Sequence, residues 1–320
     1  MILATGATGF VGRSLCAVLA RSKALRAVAR VPESAGLPVG VEVVSGNLSS
    51  DEDWSGALAS VGVVVHCAAR VHVMNDQSAD PLQEFRRVNV DGTMRLARQA
   101  ALAGVRRFIF LSSIKVNGEQ TRPGAPFVAD QTPNPEDFYG ISKMEAEEGL
   151  RLLARETGME VVIIRPPLVY GPGVKANFLA MMRWLKRGIP LPLGAVTENR
   201  RSLVALDNLV DLIVNCLDHP AAANQTFLVS DGESLSTAAL LRRMGVALGR
   251  PARLIPVPVP LLQMGAALLG KRDMAQRLCG SLEVDIGKTR ELLGWTPPIS
   301  VDEGLRRTAA HWLATEGAGK

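Results

Sequence analysis

The chain has 320 residues, 47% of them hydrophobic and 21% charged, with a formal net charge of +5. That length holds one large domain or two modest ones with an ample core, and the ordinary soluble composition excludes a disordered or fibrous chain. The basic residues come as scattered pairs (Arg106-Arg107, Arg200-Arg201, Arg242-Arg243, Arg306-Arg307) and not as one face interleaved with aromatics, which argues against a nucleic-acid partner.

The N-terminus MILATGATGF reaches a glycine-rich loop within six residues and has no basic flank, so no signal peptide is expected. ILAT (2–5) reads as a strand and FVGRSLCAVLAR as a helix. Between them TGATGFVG (5–12) spaces Gly6, Gly9 and Gly12 as GxxGxxG. The first glycine suits a tight turn, the second a close approach of backbone to a pyrophosphate, and the third close helix–strand packing at a helix N-terminus. This predicts a dinucleotide site. The second strand, LRAVA (25–29), would normally be followed by a carboxylate for the adenine ribose. Arg30 stands there instead, with no acid before Glu33. A guanidinium is a fork of donors suited to phosphate, so Arg30, helped by Arg13, is expected to meet the 2′-phosphate of NADP. The bland alternative is a solvated loop arginine.

Further apolar runs follow at VEVVS (41–45), VGVVVHCAA (61–69), RFIFLSS (107–113) and VVIIRP (161–166). They are nearly continuous, as in parallel strands buried on both faces. Helical patterns lie between them, in DEDWSGALAS, residues 81–104 and residues 138–158. Repeated βα units predict an α/β fold, a Rossmann-type doubly wound parallel sheet over 1–166. After Pro166 the texture turns irregular. Residues 167–320 read as a smaller mixed α/β lobe for substrate, with a crossing of the chain between the lobes left open. The apolar run at 254–270 is too short to span a bilayer and contains three prolines, so no membrane insertion is expected. The four cysteines lie far apart, which suits a reducing cytoplasm and offers no metal site.

Tyr139 and Lys143 in FYGISK are four residues apart at a helix start, hence on one face. A free tyrosine ionises near pH 10 and is a poor proton-transfer group at neutrality. A neighbouring ammonium is expected to lower that value. Ser112 and Ser113 end the fifth strand, at the edge where open α/β sheets bind ligands.

TGATGFVG, HCAAR (66–70), RRVNVDGT (86–93), FIFLSSIKVNGE (108–119), YGISK, RPPLVYGPG (165–173) and DIGKTRELLGWTP (285–297) occur in this order. Together they closely resemble the extended short-chain dehydrogenase/reductases, the NAD-dependent epimerase/dehydratase family, over essentially the whole chain. The resemblance implies a triad of Ser113, Tyr139 and Lys143. It implies cofactor contacts at Gly6, Gly9, Phe10, Val11, Leu48, Ala68, Ala69 and Pro166. Asn47 stands where that family usually has an acid; its amide could still accept from adenine. Asn89 matches the NVxGT helix and reads as helix–sheet packing. Asn177, after YGPG, and Arg201 match contacts to a sugar diphosphate, and Arg277 is chosen over Arg272 as a second arginine. Lys115 reads equally as a loop cation or a contact to a sugar substituent. Ile114 stands where dehydratases of this group resemble one another in an acid, which argues against 4,6-dehydration.

The absent carboxylate and Arg30 favour a reductase of a UDP-linked 4-keto-6-deoxy-N-acetylhexosamine using NADP(H), with NAD(H) as the other cofactor. SSIKVNGE is similar to bacterial enzymes of O-antigen and capsule synthesis. The alternatives are a UDP-hexose or UDP-N-acetylhexosamine 4-epimerase with retained NAD, and a non-catalytic dinucleotide-binding protein. The resemblance also implies a homodimer through helices 81–104 and 138–157.

Overall fold

In a computed structural model of the chain, each of the six apolar runs of the first half is a strand: β1 (Ile2–Thr5), β2 (Leu25–Ala29), β3 (Glu42–Ser45), β4 (Val63–His66), β5 (Arg107–Leu111) and β6 (Glu160–Arg165). The structure describes residues 1–49, 51–71 and 80–318. The helices between the strands are α1 (Phe10–Leu19), α2 (Ser55–Leu58), α3 (Pro81–Arg86), α4 (Thr93–Leu102) and α5 (Phe138–Thr157), with a π-helical turn over Arg87–Gly92 joining α3 to α4. The second half holds β7 (Leu168–Tyr170), α6 (Ala176–Arg187), β8 (Arg201–Ala205), α7 (Leu206–Asp218), β9 (Thr226–Leu228), β10 (Ser234–Leu235) and α8 (Thr237–Ala247). It ends with α9 (Val259–Leu268), α10 (Arg272–Cys279), α11 (Gly287–Leu293) and α12 (Val301–Ala318).

The large sheet has the order β3-β2-β1-β4-β5-β6-β9, parallel throughout. The order reverses between β1 and β4, and the crevice there is where such sheets take ligands. Both faces of the inner strands are covered, which is why those runs are nearly continuously apolar, while the edge strand β3 has no buried residue. Leu15, Cys16 and Leu19 of α1 and Leu209, Leu212 and Ile213 of α7 close one face. Leu96, Ala97 and Ala100 of α4 and Ala146, Leu150 and Leu153 of α5 close the other.

A three-stranded sheet, β10-β8-β7, carries the second lobe. Its core gathers Phe178 and Met182 of α6, Leu241 of α8, and Leu305 and Trp312 of α12 around Tyr170. The two lobes are not separate lengths of chain. After β8 the chain returns to the first lobe, where α7 packs and β9 pairs with β6 in the register Ile163↔Thr226 to Arg165↔Leu228. Residues 206–228 therefore belong to the large sheet's layer structure, although they follow Pro166.

Candidate active site

The glycine loop is shaped by backbone contact. Gly6 sits at φ +67, and a Cβ there would lie 2.6 Å from the Ala68 nitrogen. At Gly12 a Cβ would lie 2.1 Å from the Gly6 carbonyl oxygen. No residue with a side chain fits either place. Gly9 is the N-cap of α1, no side chain caps that helix, and its first turn holds no acid. The amides around Phe10 and Val11 are thus open to an anion at the positive end of the helix. This cradle fits a dinucleotide's pyrophosphate. Ala68 and Ala69 follow β4 beside it, and Leu48 lies against Gly92 of the π-helical turn. The Arg13 guanidinium donates to the carbonyls of Thr8 and Gly36 and braces the loop after β2.

Arg30 is exposed and lines a hollow of about 200 Å³ together with Ser45, Gly46, Asn47 and Glu52. The structure thus brings Arg30 and Asn47 together in one hollow. It also supplies the carboxylate that the β2 window lacks, from a loop 22 residues beyond Arg30. No local pattern marks Glu52, because its approach to Arg30 depends on the pairing of β2 with β3.

His66 ends β4 fully buried. Its Nδ1 lies 2.6 Å from the Thr5 hydroxyl and its Nε2 3.0 Å from that of Thr93, while its ring packs between Phe108 and Phe110. Burial, aided by the Lys143 ammonium, pushes its pKa down to about 3. It is a neutral brace between β1, β4 and α4. Asn89 is a second brace. Its amide exchanges two hydrogen bonds with the Arg70 backbone and donates to Ser142 of α5.

Asp137 caps α5 by accepting from the Gly140 amide at 2.7 Å. A Cβ on Gly140 would lie 2.9 Å from the Lys115 carbonyl oxygen, so the first turn of α5 rests directly on the turn after Ser113. The two parts of the expected triad therefore meet. Ser113 is half-buried at the end of β5, and its Oγ accepts from the Lys115 amide. Tyr139 is half-buried, with its ring edge-on to Phe85. The Lys143 ammonium donates to the Leu111 carbonyl at 2.9 Å and lies over the Phe110 face. Burial pulls its pKa down to about 8, against the attraction of Cys67 and Glu147. Pro166 is buried beside this turn, its carbonyl accepting from the Ile114 amide.

One expectation is reversed. The Tyr139 phenol has its pKa raised, first by burial and then by the Asp137 carboxylate. Lys143 stands 5.9 Å from the ring centroid and is committed to Leu111, so its field does not offset the lost solvation. Lys115 is also committed. It pairs with Glu119 at 2.7 Å and, more closely, with Asp137. It anchors the cap of α5 to the Ser113 turn.

Behind the triad lies a charge network that no local motif announces. Glu147 of α5 is wholly buried and receives Arg165 at the end of β6 in a two-pronged pair, Arg151 at 2.9 Å, and the Ser112 hydroxyl at 2.6 Å. Arg165 also donates to Asn117. Of the two serines, Ser112 is thus buried in this network, and Ser113 is the part-exposed one.

Toward the second lobe, Arg201 of β8 donates to the Gly280 carbonyl, at the end of α10. Burial pulls its pKa below the ordinary value; Glu119 opposes this and Arg277 adds to it. Arg201, Arg277 and Glu119 are therefore close enough to act on one another, two cations and one carboxylate. Asn177 is exposed at the start of α6.

Residues 2–230 match the NAD dependent epimerase/dehydratase family. The chain belongs to that family. A UDP-glucose 4-epimerase of Vibrio cholerae is 50% identical over 312 residues, which cover 98% of this chain and 95% of that protein. Among solved structures, a UDP-glucose 4-epimerase of Thermotoga maritima with UDP-glucose superposes with a TM-score of 0.79 at 22% identity, over 98% of this chain and 99% of the other. A short-chain dehydrogenase/reductase superfamily protein of Agrobacterium tumefaciens with bound NAD gives 0.78 at 24% identity, over 100% and 99%. These two likenesses show the fold.

Within the epimerase/dehydratase family, the expectation of a 4-keto sugar reductase is overturned. A relative half identical over nearly the full chain is a 4-epimerase by name. The residue that favoured reduction was Arg30, and its cation is not alone: Glu52 shares its hollow. Ile114, where the family's dehydratases resemble one another in an acid, is buried at 4% exposure and has no proton to give.

Proposed function

We propose that this chain interconverts the C4 epimers of a UDP-linked hexose with a retained NAD. The observation that carries the reading is the half identity, end to end, with a UDP-glucose 4-epimerase. It is supported by the first turn of α5, which carries Tyr139 and rests on the turn after Ser113, so that a serine and a tyrosine can act at one point. When bound, the nicotinamide would accept hydride from C4 of the sugar and return it.

The chain's own residues supply the rest. Tyr139 as phenolate takes the proton of the C4 hydroxyl when hydride leaves C4, and as phenol returns it when hydride comes back, while the Ser113 hydroxyl holds the sugar's C4 oxygen. Lys143 would hold the cofactor ribose and, as a cation, favours the phenolate that must be present before the proton is taken and is regenerated when it is returned. Arg201 and Arg277 grip the diphosphate with Asn177, so the hexose can turn over within the cleft without leaving it. The hollow of Arg30, Asn47 and Glu52 takes the adenosine. With one cation and one carboxylate it suits a ribose 2′-hydroxyl better than a 2′-phosphate, which favours NAD over NADP.

The test is incubation of the purified chain with UDP-galactose or UDP-glucose and no added reductant, followed by NMR of the anomeric signals. Interconversion without net nicotinamide reduction is expected, and the nucleotide released on denaturation should be NAD. Tyr139→Phe should lower turnover by at least about a hundredfold, the ordinary scale of a proton-transfer group. Absence of interconversion, or turnover only when one reduced cofactor is supplied per sugar, would remove the proposal.

A further inference from the structure

We propose that the second lobe docks on an anionic lipid bilayer through a face built from α6, the 250–257 segment, α9 and α10. The first observation is the distribution of charge. Residues 161–197 and 234–272 contain eleven of the 36 Lys and Arg and none of the 31 Asp and Glu. The rest of the chain, with 25 cations against 31 anions, is net acidic. The basic character of the protein therefore comes wholly from these two segments.

The fold brings them together. Leu191 bridges to Leu254, and the Gly194 amide donates to the Ile255 carbonyl, so the chain after α6 runs beside the chain before α9. Arg250 reaches back to the Lys186 carbonyl. Of the eleven cations, only Arg165 and Arg243 form an ion pair among the described residues. The nine others, with Lys186, Arg187, Arg253, Lys271 and Arg272 among them, pair with no carboxylate among the described residues, and α10, which continues past the second segment, adds one acid, Asp273, and one cation, Arg277.

The second observation is apolar. Helix α9 has no buried residue. Leu261, Met264 and Leu268 recur at helical spacing on one side and are 52%, 57% and 83% exposed. Leu269, Met274, Ile255, Ile189 and Trp184 are exposed around them. Among the described residues no helix is long and apolar enough to cross a membrane. At ten residues α9 is only about 15 Å long, roughly half the hydrocarbon thickness of a bilayer. Such a helix lies in the interface plane, with apolar side chains below the headgroups and lysines and arginines among them.

An acidic protein would answer the cations but leave the leucine stripe against polar surface. A bilayer answers both, with anionic headgroups over an apolar interior. A hollow of about 280 Å³ between α6 and α12, lined by Lys175, Arg183 and His311 over Met182 and Trp312, adds a place for a headgroup phosphate. Arg277 stands one turn after Met274 on α10, so the docked lobe would hold the mouth of the site beside the membrane. Bilayer docking is independent of the reaction carried out at that site.

The experiment is co-sedimentation of the full chain with vesicles of phosphatidylglycerol and phosphatidylethanolamine, against vesicles of phosphatidylcholine alone, at low and high salt. Binding to the anionic vesicles is expected, with affinity at least about tenfold lower on phosphatidylcholine and likewise in high salt. The double substitution Leu261→Glu with Leu268→Glu, on exposed positions, should lower binding to anionic vesicles at least tenfold while leaving the thermal melt in place. Lys186→Glu with Arg187→Glu should do the same through charge alone. Equal binding to both vesicle types, or unchanged binding of both variants, overturns docking. So does sedimentation velocity in which the native chain self-associates and the leucine variant does not, because the stripe then belongs to a second copy.

Discussion

Lys143 is an ammonium held where ammonium is disfavoured. Burial draws its pKa from 10.5 to about 8, and the Leu111 carbonyl and Phe110 face recover only part of the lost solvation. A lysine whose folded pKa is lowered costs most below that pKa. Its cost is relieved as pH rises toward the unfolded value, because the unfolded chain still holds the proton that the folded chain has released. Lys143→Met should therefore look best at neutral pH. Between about pH 7 and pH 10.5 the native chain should gain on the order of 3 kcal/mol relative to the variant. Urea unfolding at the two ends of that range measures it, and a pH-independent difference would show that Lys143 carries no such burden. The lysine's place was legible in the sequence, from its four-residue spacing to Tyr139. Its environment was not. Leu111, Phe110 and His66 surround it through strand pairing, and no local pattern reports the desolvation that moves both its pKa and that of Tyr139.

At the scale of the element, α5 is where sequence and fold meet most closely. Its start was marked by YGISK and its end by Gly158, which takes the left-handed conformation at the C-cap. What holds its first turn was not marked. The Asp137 cap is local, but the Lys115 that fixes that cap to the Ser113 turn lies 22 residues away and could be read only as a loose cation or a ligand. The same limit applies to strands. The six apolar runs of the first half were legible as parallel strands, whereas β7, β9 and β10, of three, three and two residues, carry too few side chains for any period to show. Asp137→Asn separates the duties of the cap. Asparagine caps as well as aspartate, so the helix should lose only the Lys115 pairing, on the order of 0.5–1 kcal/mol. The carboxylate that helps raise the Tyr139 pKa is removed, so the phenol should ionise at lower pH. The chain has only two tyrosines, so alkaline titration at the phenolate absorption band resolves the shift. A Tyr139 ionisation unmoved in Asp137→Asn would leave burial as the whole cause.

For the whole molecule, interleaving of the lobes decides how it unfolds. Tyr170 sits on β7 of the small sheet, Asp231 follows β9 of the large one, and the phenol donates to the carboxylate at 2.7 Å. The other carboxylate oxygen accepts from the Ala205 amide and from Asn208 of α7, which in turn holds the Ile299 backbone before α12. Burial nonetheless leaves the Asp231 pKa raised. A carboxyl of this kind opposes folding as pH climbs above its ordinary value of 3.8, because the folded chain keeps a proton that the unfolded chain gives up. Tyr170→Phe removes a hydrogen bond that favours the ionised form, so its penalty should grow with pH. The cost at neutrality should be about 1–3 kcal/mol, a fall in Tm of roughly 2–10 °C, and it should be smaller near pH 4. Because residues 206–228 return to the large sheet, calorimetry should show one transition that moves as a unit. Two transitions, with only one displaced, would mean that the joint at Tyr170 does not couple the lobes.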